Sequence, residues 1–305
     1  MNREQWLKER RKGIGASEAA AVLGESDFHS PASLWAIKCG LIEDISDPRN
    51  AERQEMGREA EPFIARILQL RTGREIELAP AYEITWNKDF PFLFCTLDAI
   101  DRAGPIVQLK NVDANMIKKW SSEPPTQYVI QVQHEMFVTG KRSATLAAIV
   151  GGNRFFHYDI AYDADLYEGM ILPELVRFWE MVQSQESPPI CGHPATGRML
   201  RKLHPDDNGR AISLGAIAEE LYTQLMRCKQ ARKEIERLED EYKHKLAGML
   251  GENTYGVTPS GLELTYATVE VPAHERAASK SRRLTGRWPR GYVPKIQVDE
   301  ASDED

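Results

Sequence analysis

Apolar residues recur at helical spacing through the first seventy positions and then switch to strand-like alternation. Between residues 3 and 40 the pattern breaks into short helices. Trp6, Leu7 and Ile14 are the apolar anchors, Gly13 and Gly15 interrupt, and an alanine-rich helix follows over 17–23 with Ser17 placed to cap it. Pro31 opens another helix over 32–38. A longer helix spans about 49–71, with Phe63, Ile64, Ile67, Leu68 and Leu70 on its apolar side. Alternation then predicts strands at 82–86, 92–101 and 106–112, the last two joined by the turn Arg102-Ala103-Gly104-Pro105. A helix over 125–139, strands over 144–151 and 155–161, and a helix over 165–185 follow. This order predicts an α/β (α+β) domain with a central mixed sheet flanked by helices.

Pro188-Pro189 closes that domain, so the expected division is a core over 1–190 and a linker over 191–212. Beyond it a helix spans 213–250, with Leu214, Leu221, Cys228, Ile235, Tyr242 and Met249 seven apart and Ile217, Leu225, Ala231, Leu238 and Leu246 between them. Such a heptad-like seam needs a partner; a packing surface is the commoner use, a coiled-coil dimer the rarer one. A hairpin is expected over 255–271 around Pro259-Ser260-Gly261, making 213–272 a C-terminal helix-and-hairpin subdomain. Residues 273–305 are poor in apolar groups, first basic and then acidic, and are expected to be mobile.

Composition narrows the classes. The chain has 305 residues, 42% of them hydrophobic and 28% charged, enough for a substantial core. No apolar run reaches the roughly 18–20 residues that cross a membrane, and the charged start is unlike a secretory signal. Four cysteines without paired spacing point to a reduced cytoplasm. Cys191, His193 and His204 form only a loose cluster, a weak case for zinc. A net charge of −7 argues against a nucleic-acid coat protein but leaves room for an enzyme with a local basic groove. Basic residues gather near the N-terminus, at Lys118-Lys119 and over 280–295.

The candidate chemistry lies in the hairpin. With a three-residue loop over 102–104, Asp101 faces Pro105, and counting back sets Asp98 opposite Gln108. Opposed residues of an antiparallel pair share a face. Lys110 lies on that face too, while Leu109 points to the core. An acid, an amide and an ammonium thus converge; a solvent-facing strand with ordinary polar residues is the bland alternative.

Four segments in order resemble the YqaJ-type viral recombinase family, which includes phage lambda exonuclease, within the restriction-endonuclease-like PD-(D/E)XK nuclease superfamily. They are Trp6-x3-Arg10 with Gly13-Ile14-Gly15-Ala16-Ser17-Glu18; Gly57-Arg58-Glu59-Ala60-Glu61; Asp98 with Gln108-Leu109-Lys110; and Tyr128-x2-Gln131-Val132-Gln133-x2-Met136. The resemblance implies a restriction-endonuclease-like core and a Mg2+-dependent 5′→3′ exonuclease that digests one strand of linear double-stranded DNA to nucleotides. Two Mg2+ ions, with Mn2+ as a substitute, would be held by Asp98, position 108 and the Leu109 carbonyl. Lys110 would serve the attacking water and the scissile phosphate, Glu61 would support the site through water, and Gln131 would position the water or Lys110, with Gln133 as its competitor. Arg10 and Ser17 resemble the pocket for a terminal 5′-phosphate; guanidinium binds phosphate bidentately. The implied partners are linear duplex DNA with a 5′-phosphate end, a single-strand annealing protein and two further copies in a trimeric ring, in a bacterial cytoplasm with a phage or prophage gene.

Position 108 departs from the family, which has Glu there; an amide oxygen brings no charge to a metal. The isosteric swap within an otherwise intact motif reads as an inactivating Glu→Gln change, with a naturally impaired member as the alternative. Asp113 is a remote substitute ligand. Two rival functions remain at this point: a catalytically silent DNA-end-binding protein, and an interaction scaffold built on the heptad helix.

Overall fold

A computed structural model describes residues 1–43 and 48–268; the side chains of 48–51 are not described. The chain divides into two compact units, 1–205 and 206–305.

In the first unit, α1 (Arg3–Arg10), β1 (Ile14–Gly15), α2 (Ala16–Val22), α3 (Pro31–Lys38) and α4 (Pro48–Thr72) precede the strands β2 (Ile76–Leu78), β3 (Thr85–Trp86), β4 (Leu93–Cys95), β5 (Ala99–Asp101) and β6 (Ile106–Val112). Then come α5 (Ile117–Ser122), α6 (Thr126–Thr139), β7 (Ser143–Val150), β8 (Arg154–Ala161), α7 (Ala164–Leu166), α8 (Leu172–Ser184) and α9 (Pro194–Leu203). The main sheet runs β2-β5-β6-β7-β8, antiparallel except for the parallel β6–β7 pair. A smaller sheet runs β1-β4-β3. The expected mixed sheet flanked by helices is therefore present.

Strand alternation on β6 decides what covers each face. Val107 and Leu109 pack with Ile64 and Leu68 of α4, while Ile106 packs with Val132 and Met136 of α6. Gln108 and Lys110 share the parity of Ile106 and lie on the α6 side. Trp120 of α5 extends that layer over Leu146, Ala148 and Val150. A separate apolar layer of α2, α3 and α8, including Ala19, Leu34, Trp35, Leu175 and Phe178, braces β1 and β4.

Several sequence expectations change. The strand over 92–101 is two strands, because residues 93–95 pair with β1 and β3 whereas 99–101 pair with β2 and β6. Residues 96–98 cross between the two sheets, and Asp98 sits in the bend. The strand over 82–86 shrinks to Thr85–Trp86, since Tyr82 takes a left-handed turn with φ 61°. Ser17 does not cap α2: Gly15 is the cap, and the Glu18 carboxylate accepts from its amide at 2.7 Å. The helix over 165–185 contains a π turn, Tyr167–Ile171. Pro173 has no N–H to return to Gly169, which favours the wider winding there. Short β2 and α5 escaped the sequence reading. So did α9, which lies inside the span expected to be a linker and buries Ala195 and Met199 within the first unit.

The second unit holds α10 (Ala216–Leu250) and the hairpin β9 (Tyr255–Val257)–β10 (Glu263–Thr265), shorter than the 255–271 expected. The stretch 280–295 and the acidic tail lie outside the described residues.

Gly13 is sterically required. A Cβ there would collide with the Phe92 carbonyl oxygen and lie 2.8 Å from the Trp86 ring. The Phe92 oxygen already accepts from Ile14 N at 2.7 Å, so it cannot step aside. Gly13→Ala should cost about 1–3 kcal/mol as local over-packing, read as a lower urea midpoint; an unchanged midpoint would contradict this close approach.

Candidate active site

The β5–β6 ladder pairs Ala99 with Val107 and Ile100 with Ile106. Asp101 N donates to Pro105 O at 2.9 Å and Gly104 N to Asp101 O at 2.8 Å, closing the turn at Gly104, whose φ is 119°. Extending this ladder sets Asp98 opposite Gln108, as the loop length predicted. The two side chains meet: Gln108 Nε2 donates to Asp98 Oδ2, which also accepts from Leu109 N at 2.9 Å. Gln108 is buried, and its Oε1 has no partner among the described residues.

Lys110, two residues along β6, places its Nζ 5.2 Å from the Tyr128 ring centre. Tyr128 packs in turn on Trp120, with centroids 5.4 Å apart. A cation over an aromatic face gains electrostatically, so the fourth sequence segment supports the lysine as well as supplying Gln131.

Gln131 and Gln133 have separate duties. Gln133 Nε2 donates to Ala161 O at 2.8 Å, and its oxygen accepts from Asp163 N at 2.9 Å, so it fastens the end of β8. Gln131 Nε2 donates to Glu135 Oε1 at 2.9 Å, one turn along α6. Glu135 went unnoticed in the sequence, although an (i, i+4) neighbour of a candidate glutamine shares its helix face. It is 1% exposed, and its Oε2 has no partner among the described residues.

The electrostatics bind these groups together. Burial, and then the charge of Asp98, pushes the half-buried Glu61 up to about 7 against the pull of Lys110 and Arg58. Burial raises Asp98 above the usual carboxylate range, although Lys110, the Leu109 amide and Gln108 oppose it. Glu135 is pushed up to about 8 by burial and then by Asp98. In all three burial is the leading cause, and at Glu61 and Glu135 the charge of Asp98 adds to it.

Arg10 and Ser17 also come together. Arg10 Nη2 donates to Ser17 Oγ at 3.2 Å and pairs with Glu18 Oε1 at 3.3 Å, its guanidinium lying 4.5 Å from the Trp6 ring centre. Lys38, with a side chain 1% exposed, reaches Glu18 Oε2 and the Arg10 carbonyl oxygen, both at 2.7 Å. Glu18 lay in the first motif without an assigned role; Lys38 lay outside every motif.

Other candidates fall away. Asp113 is exposed and pairs with Arg53 at 3.3 Å. His193 caps α9, with Nδ1 accepting from Ala195 N, and Cys191 meets Thr196. Among the described residues no three or more His, Cys, Asp or Glu side chains are grouped as a metal site. A groove lined by Arg74, Arg102, Asp101 and Asp159 contains none of the candidate residues, and Arg74 clasps Asp159 there at 2.7 and 2.6 Å.

A mixed α/β domain with an acid, an amide and an ammonium gathered on one hairpin defines the class. The YqaJ-like viral recombinase domain matches residues 5–142. The uncharacterized protein YqaJ of Bacillus subtilis strain 168 is 31% identical over 256 residues, which cover 81% of this chain and 79% of that protein. The chain belongs to the YqaJ-like viral recombinase family. Among solved structures, it is similar to an alkaline exonuclease from Laribacter hongkongensis, with TM-score 0.47, 17% identity, and coverage of 60% of this chain and 93% of that one. A phage related exonuclease from Haemophilus somnus 129PT gives TM-score 0.43 and 11% identity, covering 57% of this chain and 96% of that one.

Proposed function

We propose that this protein is a recombination nuclease whose site is that of a Mg2+-dependent 5′→3′ exonuclease on linear double-stranded DNA, weakened by the amide at position 108. The observation that carries this reading is the convergence of Asp98, Gln108 and Lys110 on one hairpin, with Glu61 electrostatically coupled to Asp98 and Lys110.

The donor chemistry fits a hard cation. Asp98 carboxylate, Gln108 amide oxygen and Leu109 carbonyl are all oxygen donors, the kind Mg2+ takes. The buried Gln108 Oε1, without a hydrogen-bond partner among the described residues, is a free oxygen donor beside the Asp98 carboxylate. With one carboxylate among these three donors, binding would be weak; a carboxylate at 108 would strengthen it. When bound, Mg2+ supplies charge to the phosphate and a more acidic water. Lys110 would neutralise the scissile phosphate, held in place by Tyr128. Gln131, oriented by its bond to Glu135, would position the water or Lys110, and Glu61 would accept from solvent at the rim.

Arg10 and Ser17 would hold the terminal 5′-phosphate and so set direction. Arg10→Ala should lower the ratio of affinities for 5′-phosphorylated over 5′-hydroxyl duplex ends by about tenfold, the equivalent of one charge-assisted hydrogen bond. Fluorescence anisotropy measures that ratio, which a general loss of folded protein leaves unchanged; an unaltered ratio would remove Arg10 from the pocket. The same reading hands the exposed 3′ strand to a single-strand annealing protein and arranges three copies as a ring around DNA in the bacterial cytoplasm. No helix among the described residues is long and apolar enough to cross a membrane.

A second reading, a silent DNA-end binder, is favoured by the bond from Gln108 to Asp98, which satisfies the carboxylate without a cation. Digestion of 5′-phosphorylated linear duplex, with and without Mg2+, separates the two. Slow Mg2+-dependent shortening supports the nuclease, and end binding with no shortening in Mg2+ or Mn2+ supports the silent form.

A further inference from the structure

α10 is 35 residues long, roughly 50 Å at 1.5 Å per residue, and none of its residues is buried. Its seam is open: Ile217 is 70% exposed, Leu221 65%, Ile235 64%, Tyr242 61% and Met249 82%. Helices in proteins owe most of their stability to packing of an apolar face. A repeat of seven sustained over five heptads fits another helix of the same period, and among the described residues α10 alone carries such a seam. We propose that α10 pairs antiparallel with α10 of a second copy of this chain, through the seam that runs from Ile217 to Met249.

The charges beside the seam choose the direction. In a parallel in-register pair, each flanking residue meets the one five positions later on the partner helix. That sets Arg227 against Arg232 and Glu234 against Glu239, each twice, and Lys245 against its own copy within the seam. Like charges so placed are destabilising. Running the helices in opposite directions, with Ile235 over Ala231 of the second copy, brings Arg227 beside Glu241 twice and moves Lys245 over Leu221. The same alignment sets Cys228 over Leu238 and Met249 over Ile217. At the two-fold axis Glu234 and Arg232 each meet their own copy once, fewer like-charge contacts than the parallel pair makes, and each has an opposite charge on its own helix: Arg237 at 2.8 Å and Glu236 at 3.4 Å. Arg227, by contrast, has a buried Nε with no partner among the described residues. The antiparallel pair supplies it with a carboxylate.

Thiol cross-linking of the full chain tests this. Cys228 is exposed. In a parallel pair it faces its own copy, whereas in the antiparallel pair it faces Leu238. In a Cys191→Ser background, which silences the other exposed thiol, Leu238→Cys should yield on mild oxidation a covalent dimer. Peptide mapping should join Cys228 of one copy to the introduced thiol of the other, in several-fold excess over Cys228 self-linkage. The two thiols of one helix lie ten residues, about 15 Å, apart and cannot bond to each other. Adding Ile235→Glu should abolish the link and reduce the sedimenting mass. Predominant Cys228 self-linkage, a chain that stays monomeric without cross-linking at tens of micromolar, or a link that survives Ile235→Glu would each overturn the proposal.

Discussion

Gln108→Glu is expected to raise Mg2+-dependent digestion of linear duplex DNA by at least about a hundredfold, the scale on which single pre-organised electrostatic contacts act in catalysis. The amide Nε2 of Gln108 donates to Asp98 Oδ2, the oxygen that a cation would use under the proposed activity. A carboxylate has no proton to donate. Two facing acids, with Cβ atoms roughly 4.5–5.5 Å apart as opposed strand residues, repel each other until a cation sits between them. A second readout does not depend on cutting. Mg2+ should raise the melting temperature of the Gln108→Glu protein and leave that of the Gln108 protein almost unmoved. If the Gln108→Glu protein neither digests DNA nor responds to Mg2+, position 108 is not a metal ligand.

The second large effect concerns folding. Glu18→Ala removes the carboxylate that Lys38 and Arg10 share, and breaking a buried pair costs about 3–5 kcal/mol. In a unit of this size that lowers the melting temperature by roughly 6–20 °C. The pH dependence has a definite sign. Burial opposes ionisation of Glu18, but Lys38, Arg10 and the Gly15 amide outweigh it and hold the carboxyl at about 2, against an ordinary value of 4.5. The folded state therefore binds the proton less readily than the unfolded chain. Glu18 stabilises fully above about pH 4.5, and its contribution is lost as pH falls from there through about 2. Chemical denaturation between pH 7 and 3 should show the wild type losing its advantage over Glu18→Gln in that acid window. A constant difference across the range would mean the pair does not stabilise the fold.

The hairpin was the most legible part of the chain, because loop length fixes register and register fixes which side chains meet. Asp98 and Gln108 followed from counting alone. The helices at 31–38 and 126–139 and strands β6 to β8 were legible from apolar periodicity and from Pro31 and Pro125. What escaped was short or dictated by tertiary partners. Three-residue β2 has too few positions to display alternation, and the break at 96–98 depends on two sheets competing for one apolar run. Lys38 ends a helix and lies outside every motif, and only the tertiary fold brings Glu18 within 2.7 Å of it. Glu135 could have been noticed, since it follows Gln131 by one helical turn.

The crossing at 96–98 also sets a length. Arg10 ends α1 and Ser17 lies in the first turn of α2, on either side of β1, which pairs with β4; the hairpin acid follows Cys95, the last residue of β4, by three residues, at most about 10–11 Å of extended chain. Trp6 Nε1 pins the start of that span by donating to Thr96 Oγ1 at 3.2 Å. Under the proposed activity this span is a ruler between the seat of a strand end and the bond that is cut. The size of each released piece would then be written into protein backbone, independent of the bases in the DNA.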